Sequence, residues 1–336
     1  MPVTDKLKVT QKNIEDGTDS CTKAGRRIAQ EFEKNCDTGS INIETFSCHP
    51  KSFLKHIRFD VILYAAGTLM AILGSHWLAF VMFGLAVGIV LSQSIFYFQI
   101  FDPFFPKASG TNVCGSIDPE DAVKQQIILC GHHDAAYVFN FMDKSPRLYP
   151  LFMLAGQAPL FLALIFSIAA LILGINPLWY KIILTIGLVG IIPMWWFTTD
   201  KVSPGAGDNM VATAIINETA KILSDQKKAG RNPLKHTRII CLSVDGEECG
   251  LRGSRAFVKT HEKEFKDIKT YAFCIDTLFN ADKLLFFKRD LNMTVPLSGN
   301  MAEELADTAK SLGYGAKVSQ MPFGGGSTDA ASFAQI

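Results

Sequence analysis

The sequence lacks a strong excess of charge, a paired cysteine pattern and an apolar segment at its N-terminus. The formal net charge of +1 gives no general preference for nucleic acid. The eight cysteines have no paired spacing, and Cys130, Cys241 and Cys274 lie inside apolar, strand-like runs, which favours a reducing compartment over a disulfide framework. The first apolar block begins only near residue 57, so no N-terminal signal peptide is predicted.

Charged residues are also scarce in two long blocks, which account for much of the 48% hydrophobic content. The first block runs from Phe59 to Phe101 with a break at residues 74–76, and the second runs from Tyr149 to Phe197 with a break at residues 174–177. Each block is about twice the roughly 20 residues that cross a bilayer as a helix. We therefore predict four transmembrane helices in two hairpins. The alternative is long buried helices of a soluble core, but core helices seldom stay this apolar on every face.

Two hairpins would bring the polar segments out on one face of the membrane. The predicted organisation is one discontinuous domain made of residues 1–58, 102–148 and 199–336, interrupted by the hairpins at 59–101 and 149–198. Lysine and arginine flank the spans on the side of the polar segments, whereas the two short turns carry neither. The positive-inside tendency therefore predicts a multi-pass protein of the lipid bilayer whose polar domain faces the cytoplasm.

Side chains of the kinds that bind metal ions lie directly after three apolar, strand-like runs and within one glycine-rich turn. They are His132 and Asp134 after Gln126–Cys130, Asp208 in the turn Ser203–Met210, Glu247 and Glu248 after Ile239–Val244, and Asp276 after Tyr271–Ile275. The C-terminal ends of parallel strands meet at one edge of a sheet, so these side chains are predicted to share one site. Their mixture of imidazole and carboxylate suits zinc better than calcium.

Each of these signals has a simpler explanation when it is taken alone. His132 could be a structural histidine, Asp208 or Asn209 could cap the helix that follows, and the acids at 245–248 could favour the positive end of the next helix. What favours a shared site is that the same pattern repeats at three strand ends.

The same residues form motifs that resemble the co-catalytic di-zinc aminopeptidases of metallopeptidase family 28, which include bacterial leucyl aminopeptidase, aminopeptidase Y and glutamate carboxypeptidase. The segment 132–134 resembles the family's His-x-Asp, and Asp276 corresponds to its later strand-end aspartate. Asp245–Ser254 matches Asp-Gly-Glu-Glu-x-Gly-Leu-x-Gly-Ser. Pro204–Asn209 resembles Pro-Gly-Ala-Asp-Asp-Asn, with Gly207 in place of the first aspartate.

The resemblance implies a three-layer α/β domain with a mixed, largely parallel sheet and a site for two zinc ions. Asp208 would bridge the two ions, His132 and Asp276 would hold one of them, and Glu248 would hold the other. The implied activity is hydrolysis of peptides, nearest to that of an aminopeptidase, without a role for nucleic acid.

The resemblance also implies the roles of the two remaining acids. Glu247 would be the general base, which takes a proton from water as the water attacks the scissile carbonyl. Asp134 would hold His132 in one orientation.

One departure from the family concerns the second zinc. The family supplies a final histidine downstream of a segment that resembles Gly326–Ala334, but this chain has no histidine after His261. Either the sequence is truncated, or the site binds one metal, or the site is inactive. The last possibility defines the alternative function, a catalytically inactive membrane scaffold or binding protein with the same fold. A transporter is disfavoured because Asp60 and Lys181, the charged residues within the apolar blocks, lie near the predicted span ends.

Overall fold

The computed structural model describes residues 19–322 and 324–336, so the first 18 residues of the predicted domain segment 1–58 lie outside the described residues. The chain divides into two compact units. The first unit contains the described part of Met1–Pro50, together with Pro106–Ala136 and Val202–Ile336. The second unit contains Lys51–Phe105 and Tyr137–Lys201. Each unit is therefore built from stretches that are separated along the chain.

The described residues form eleven strands and eleven α-helices. The strands are β1 (Asn42–Cys48), β2 (Ala108–Ile117), β3 (Gln125–His132), β4 (Tyr137–Phe139), β5 (Thr198–Val202), β6 (Thr237–Val244), β7 (Lys269–Cys274), β8 (Leu284–Phe287), β9 (Arg289–Asp290), β10 (Val295–Pro296) and β11 (Ala316–Ser319). The helices are α1 (Asp19–Asn35), α2 (Ser52–Lys55), α3 (Ile57–Ile72), α4 (His76–Val90), α5 (Asn140–Lys144), α6 (Tyr149–Leu173), α7 (Leu178–Ile191), α8 (Val211–Lys228), α9 (Arg252–Asp267), α10 (Gly299–Ser311) and α11 (Ala330–Phe333).

A mixed sheet of five strands forms the centre of the first unit, in the order β1-β2-β6-β3-β7. Strand β3 runs parallel to both β6 and β7, whereas β2 is antiparallel to β1 and to β6. His132 pairs with Val244, and Cys130 pairs with Cys274. The three parallel strands therefore end at the same edge of the sheet, and the predicted mixed α/β fold is confirmed.

Helices cover both faces of this sheet because the side chains of β6 alternate between two apolar cores. Cys241 packs on one face with Phe32 of α1 and Ile216 of α8. Leu242 packs on the other face with Phe257 of α9. Burial on both faces explains why β6 is apolar along most of its length rather than alternating with polar residues. The result is a helix layer, a sheet layer and a second helix layer.

The second unit contains the long apolar helices α3, α4, α6 and α7. Within residues 19–322 and 324–336, three helical segments are long and apolar enough to cross a membrane, His76–Ile95, Tyr149–Leu173 and Leu178–Trp196. Helix α3 is apolar but has 16 residues, so the prediction of four spans is not established. Ile172 and Val189 are 78% and 76% exposed, as side chains that face lipid would be. These helices are compatible with a membrane protein.

Candidate metal centre

The first unit brings five of the predicted side chains together around the imidazole of His132, the last residue of β3. Its Nε2 lies 3.2 Å from Asp208 Oδ1, 3.7 Å from Asp276 Oδ1 and 3.8 Å from Glu247 Oε2. Its Nδ1 lies 3.2 Å from Asp134 Oδ1. The acids reach the imidazole because β6 and β7 end beside β3, and because the turn before α8 lies at the same edge.

In the part of the chain that the structure describes, two groups of side chains have the composition and spacing of metal sites. One contains His132, Asp208 and Asp276, and the other contains His132, Glu247 and Glu248. Within each group the potential ligand atoms lie within 4.8 Å of one another. The first group contains the residues that the resemblance assigns to one zinc and its bridge. The second adds Glu248, which the resemblance assigns to the other zinc.

Asp134 connects two parts of this centre. One carboxylate oxygen lies beside His132 Nδ1, and the other accepts a hydrogen bond of 3.0 Å from the backbone N–H of Glu248. The carboxylate is buried, so water does not compete for these contacts. Asp134 therefore holds both the imidazole and the loop after β6, and the second contact was not predicted from the sequence.

The loop after β6 owes its shape to the other residues of its motif. Asp245 is buried and accepts a hydrogen bond of 3.0 Å from the backbone N–H of Thr111. Asn112 accepts from the backbone N–H of Asp245 at 3.2 Å and donates to the carbonyl of Gly253 at 2.9 Å. A Cβ at Gly253 would collide with the carbonyl oxygen of Asp245. Asp245 and Gly253 therefore have structural roles, and Asn112 is a supporting residue that the motif does not contain.

The turn that carries Asp208 is attached to the end of β7 by its neighbour Asn209. The Asn209 side chain is buried, and its Nδ2 donates a hydrogen bond of 2.7 Å to the carbonyl of Ile275. The residue that caps α8 is Met210, without a side-chain cap. The alternative in which Asp208 or Asn209 caps this helix is therefore not observed, and Asn209 instead holds Asp208 near Asp276.

The centre concentrates negative charge in a buried place. Burial raises the pKa of Glu247 well above its usual value and raises the pKa of Glu248 to about 8. Burial lowers the pKa of His132, but hydrogen bonds to Asp134 and the neighbouring acids outweigh this effect and raise the pKa overall. Among the described residues, Glu247, Glu248 and Asp276 form no ion pair with lysine or arginine.

A metal ion fits this arrangement. Glu248 Oε1 is buried and has no hydrogen-bond partner among the described residues. Clustered carboxylates of this kind are stabilised in the charged form by a bound cation, and the combination of imidazole nitrogen with carboxylate oxygen suits zinc. The number of ions that the centre holds stays a prediction, because the last histidine of the sequence, His261, lies outside both groups and pairs with Glu44 at 2.8 Å.

One acid near the centre was missed by the sequence analysis. Asp329 is 4% exposed, and burial raises its pKa to about 7 in the electrostatic field of His132 and Asp276. The preceding residue, Thr328, donates a 2.6 Å hydrogen bond to the buried Asp290. The composition of residues 324–329 predicts a polar loop, so no local signal distinguishes Asp329 from a solvent-exposed aspartate.

Comparisons with known proteins extend these observations. Residues 191–336 match Peptidase family M28, whereas no curated protein matches the chain. The structure is similar to Fimbriiglobus ruber glutaminyl cyclase, with a TM-score of 0.52 and 14% identity over 99% of this chain and 79% of that chain. It is also similar to BSAP, a zinc aminopeptidase from Bacillus subtilis, with a TM-score of 0.51 and 14% identity over 99% of this chain and 80% of that one.

A third similar structure is Porphyromonas gingivalis glutaminyl cyclase, with a TM-score of 0.50 and 12% identity over 99% of this chain and 78% of that one. At these identities the structural similarity shows the fold. The family match adds the segment that carries Asp208, Glu247, Glu248 and Asp276, and it supports a zinc-dependent metallopeptidase. The resemblance indicated by the motifs is thereby confirmed, and over residues 191–336 the chain is similar to Peptidase family M28.

Proposed function

We propose that the protein is a membrane-bound zinc metallopeptidase of the aminopeptidase type. The observation that carries the proposal is the convergence of three buried strand ends on one imidazole, with acids 3.2 to 3.8 Å from its Nε2. A purely structural histidine needs one partner, whereas His132 has acids on both ring nitrogens. This convergence is what a metal site requires.

The residues present would hold zinc in the following way. His132 and Asp276 would bind one ion, Asp208 would bridge it to a second, and Glu248 would bind the second. When bound, zinc polarises the scissile carbonyl and lowers the pKa of water to near neutrality. Asp134 would accept the hydrogen bond of His132 Nδ1–H and so present Nε2 to the metal.

Glu247 is the proposed general base. Burial raises the pKa of its carboxyl group, so the group is a stronger base than an exposed glutamate and can accept a proton from the attacking water. The protonated carboxyl group would then give its proton to the leaving amine. The Asp134 contact to the backbone of Glu248 keeps the adjacent Glu247 in place during both transfers.

The test of this role is the variant Glu247→Gln in the purified full chain, assayed with a panel of fluorogenic aminoacyl amides. We expect hydrolysis to fall by at least the roughly 10²–10⁴-fold that a general base contributes, while zinc per chain stays unchanged. Glu262→Gln is the matched control, because Glu262 is an exposed glutamate of α9 paired with Lys266. Unchanged turnover in Glu247→Gln would remove Glu247 from the base role.

The alternative is an inactive membrane scaffold or binding protein with this fold. The same assay separates it from the enzyme, because a scaffold would leave every substrate in the panel intact. A peptide with N-terminal glutamine belongs in the panel, since two of the similar structures are glutaminyl cyclases. Loss of ammonia from that peptide without cleavage of any peptide bond would contradict the peptidase assignment.

The membrane part of the proposal is supported by the three long apolar helices and by the basic residues that flank them. We expect the chain to stay in the pellet when membranes are extracted with alkaline carbonate. In sealed vesicles with the cytoplasmic side outward, a C-terminal tag should be removed by added protease. Protection of the tag would reverse the proposed orientation.

A further inference from the structure

A second cluster of polar side chains lies in the second unit, among residues that are otherwise apolar. We call His56, Asp60, Gln93 and Ser94 the inner polar cluster. His56 and Asp60 lie one helical turn apart at the beginning of α3 and are 1% and 4% exposed. Gln93 and Ser94 belong to the π-helical turn Leu91–Ile95 that follows α4, and Gln93 is fully buried.

The contacts in this cluster centre on one nitrogen atom. His56 Nε2 lies 3.2 Å from Ser94 Oγ and 3.9 Å from Asp60 Oδ2. The neighbouring buried pair, Ser52 and Asp102, is satisfied by its own hydrogen bond of 2.6 Å. Ser52 and Asp102 therefore form a separate pair, and this pair does not balance the charge of Asp60 in the inner polar cluster.

Several polar atoms of the cluster lack partners among the described residues. These are His56 Nδ1, Asp60 Oδ1 and both polar atoms of the Gln93 side chain. The side chain in ion-pair range of Asp60 is His56, and no described lysine or arginine pairs with this carboxylate. Buried polar atoms are rarely left unpaired, and a buried carboxylate without a cation is strongly disfavoured. A cation bound between His56 and Asp60 would satisfy this carboxylate.

We propose that His56, Asp60 and Ser94 bind a divalent transition-metal cation such as zinc, at a site separate from the metal centre of the first unit. In a tetrahedral zinc site with ligands at about 2.0–2.2 Å, the donor atoms lie roughly 3.3 Å apart. The two separations from His56 Nε2 bracket this value, so small side-chain movements would bring the donors into place. Gln93 precedes Ser94 on the same turn.

The donor types decide the class of cation. Calcium and magnesium bind almost exclusively to oxygen ligands. An imidazole nitrogen beside a carboxylate instead favours zinc and its neighbours in the first transition series. Apolar residues of the second unit surround this part of the chain, including Val61, Tyr64 and Val90. An environment with little water strengthens the attraction between a cation and the Asp60 carboxylate.

The experiment measures zinc uptake by the full chain in detergent. Protein that has been stripped with a chelator is titrated with zinc chloride against a competing indicator, and the zinc retained after desalting is counted by elemental analysis. Asp60→Asn and His56→Gln are compared with the parent chain. Thr68→Val is the matched control, because Thr68 is a buried residue of the same helix whose hydroxyl group also lacks a partner.

We expect Asp60→Asn and His56→Gln each to bind one zinc fewer than the parent, and Thr68→Val to bind as many as the parent. The same difference of one should persist when all variants are made in a His132→Ala chain, which tests this site without reference to peptidase activity. Ser94→Ala keeps the His56 and Asp60 donors, so it should weaken zinc binding without abolishing it.

Equal zinc content in the parent, Asp60→Asn and His56→Gln would overturn the proposal. An equal loss in Thr68→Val would overturn it as well, because the loss would then follow from disturbance of the helix. Each variant is checked for the elution volume and melting temperature of the parent.

Discussion

Asn112 is the residue whose replacement tests the architecture of the metal centre most directly. Its side chain is 2% exposed and joins the two ends of the loop after β6, through Asp245 N–H and Gly253 C=O. Asn112→Ala removes both hydrogen bonds and leaves a buried donor and a buried acceptor without partners. At about 1–2 kcal/mol for each group, the expected destabilisation of the first unit is roughly 2–4 kcal/mol.

This destabilisation has two readouts. A domain of 150–250 residues loses roughly 2–4 °C in melting temperature per kcal/mol, so we expect a drop on the order of 5–15 °C in differential scanning fluorimetry. Because the loop carries Glu247 and Glu248, we also expect kcat to fall more than KM rises. Asn42→Ala is the control, since Asn42 is exposed and its bond to Glu44 lies at the surface. If Asn112→Ala melted and turned over like the parent, the proposed support of the loop would be wrong.

Three further predictions concern the same centre. His132→Ala should lose zinc, measured by elemental analysis, and full zinc retention would refute its assignment as a ligand. Gly131→Ala should lower the melting temperature, because the added Cβ would lie 2.6 Å from the Cβ of Ala212. Overpacking of this kind typically costs about 1–3 kcal/mol. An unchanged melting temperature would show that α8 moves freely to make room. The pKa of Glu248 is raised to about 8, so protonation of this carboxyl group stabilises the metal-free fold. This stabilisation should be fully present below about pH 4.5 and be lost as the pH rises through 8. The melting temperature of chelator-treated protein should therefore fall with pH over this range, with a shallower fall in Glu248→Gln and none after zinc is restored.

The sequence predicted the part of the fold that depends on local pattern. Strand β6 was expected at Ile239–Val244 and occupies Thr237–Val244, because a strand that is buried on both faces is continuously apolar. The metal-ligand residues could also be predicted. A histidine or an acid directly after an apolar run has simple structural explanations at one strand, but these explanations do not account for the same pattern at three strands. Their gathering around His132 then follows from the parallel order of β6, β3 and β7.

Residues that act across the sheet could not be predicted in this way. Asn112 lies in β2, a strand rich in small and polar residues, and its partners Asp245 and Gly253 are 133 and 141 positions away. Asp329 is brought near the centre by a loop that Asp290 anchors from 38 positions away. Neither relationship leaves a periodic or spacing signal, because tertiary contacts alone create it.

In the apolar blocks, hydropathy likewise predicted only part of the structure. Hydropathy located the breaks near residues 74 and 174 correctly, but it could not show that α3 ends after 16 residues or that His56 and Asp60 would be buried beside Ser94. A polar residue at the edge of an apolar block is equally compatible with exposure at the membrane surface, and only packing distinguishes the two situations.

The interrupted course of the first unit has a consequence for how the protein is made. Strand β3 pairs with β6, whose first paired residue, Thr237, follows Gln125 by about 112 residues. At about 5–20 residues per second, the ribosome needs roughly 6 to 22 seconds to supply that partner. During this interval β2 and β3 have left the ribosome without the strand that joins them in the finished sheet. While α6 and α7 are synthesised, one edge of β2 and both edges of β3 therefore lack their partners in the finished sheet. The yield of folded protein should depend on chaperones that cover such edges and on the speed of translation between residues 133 and 237.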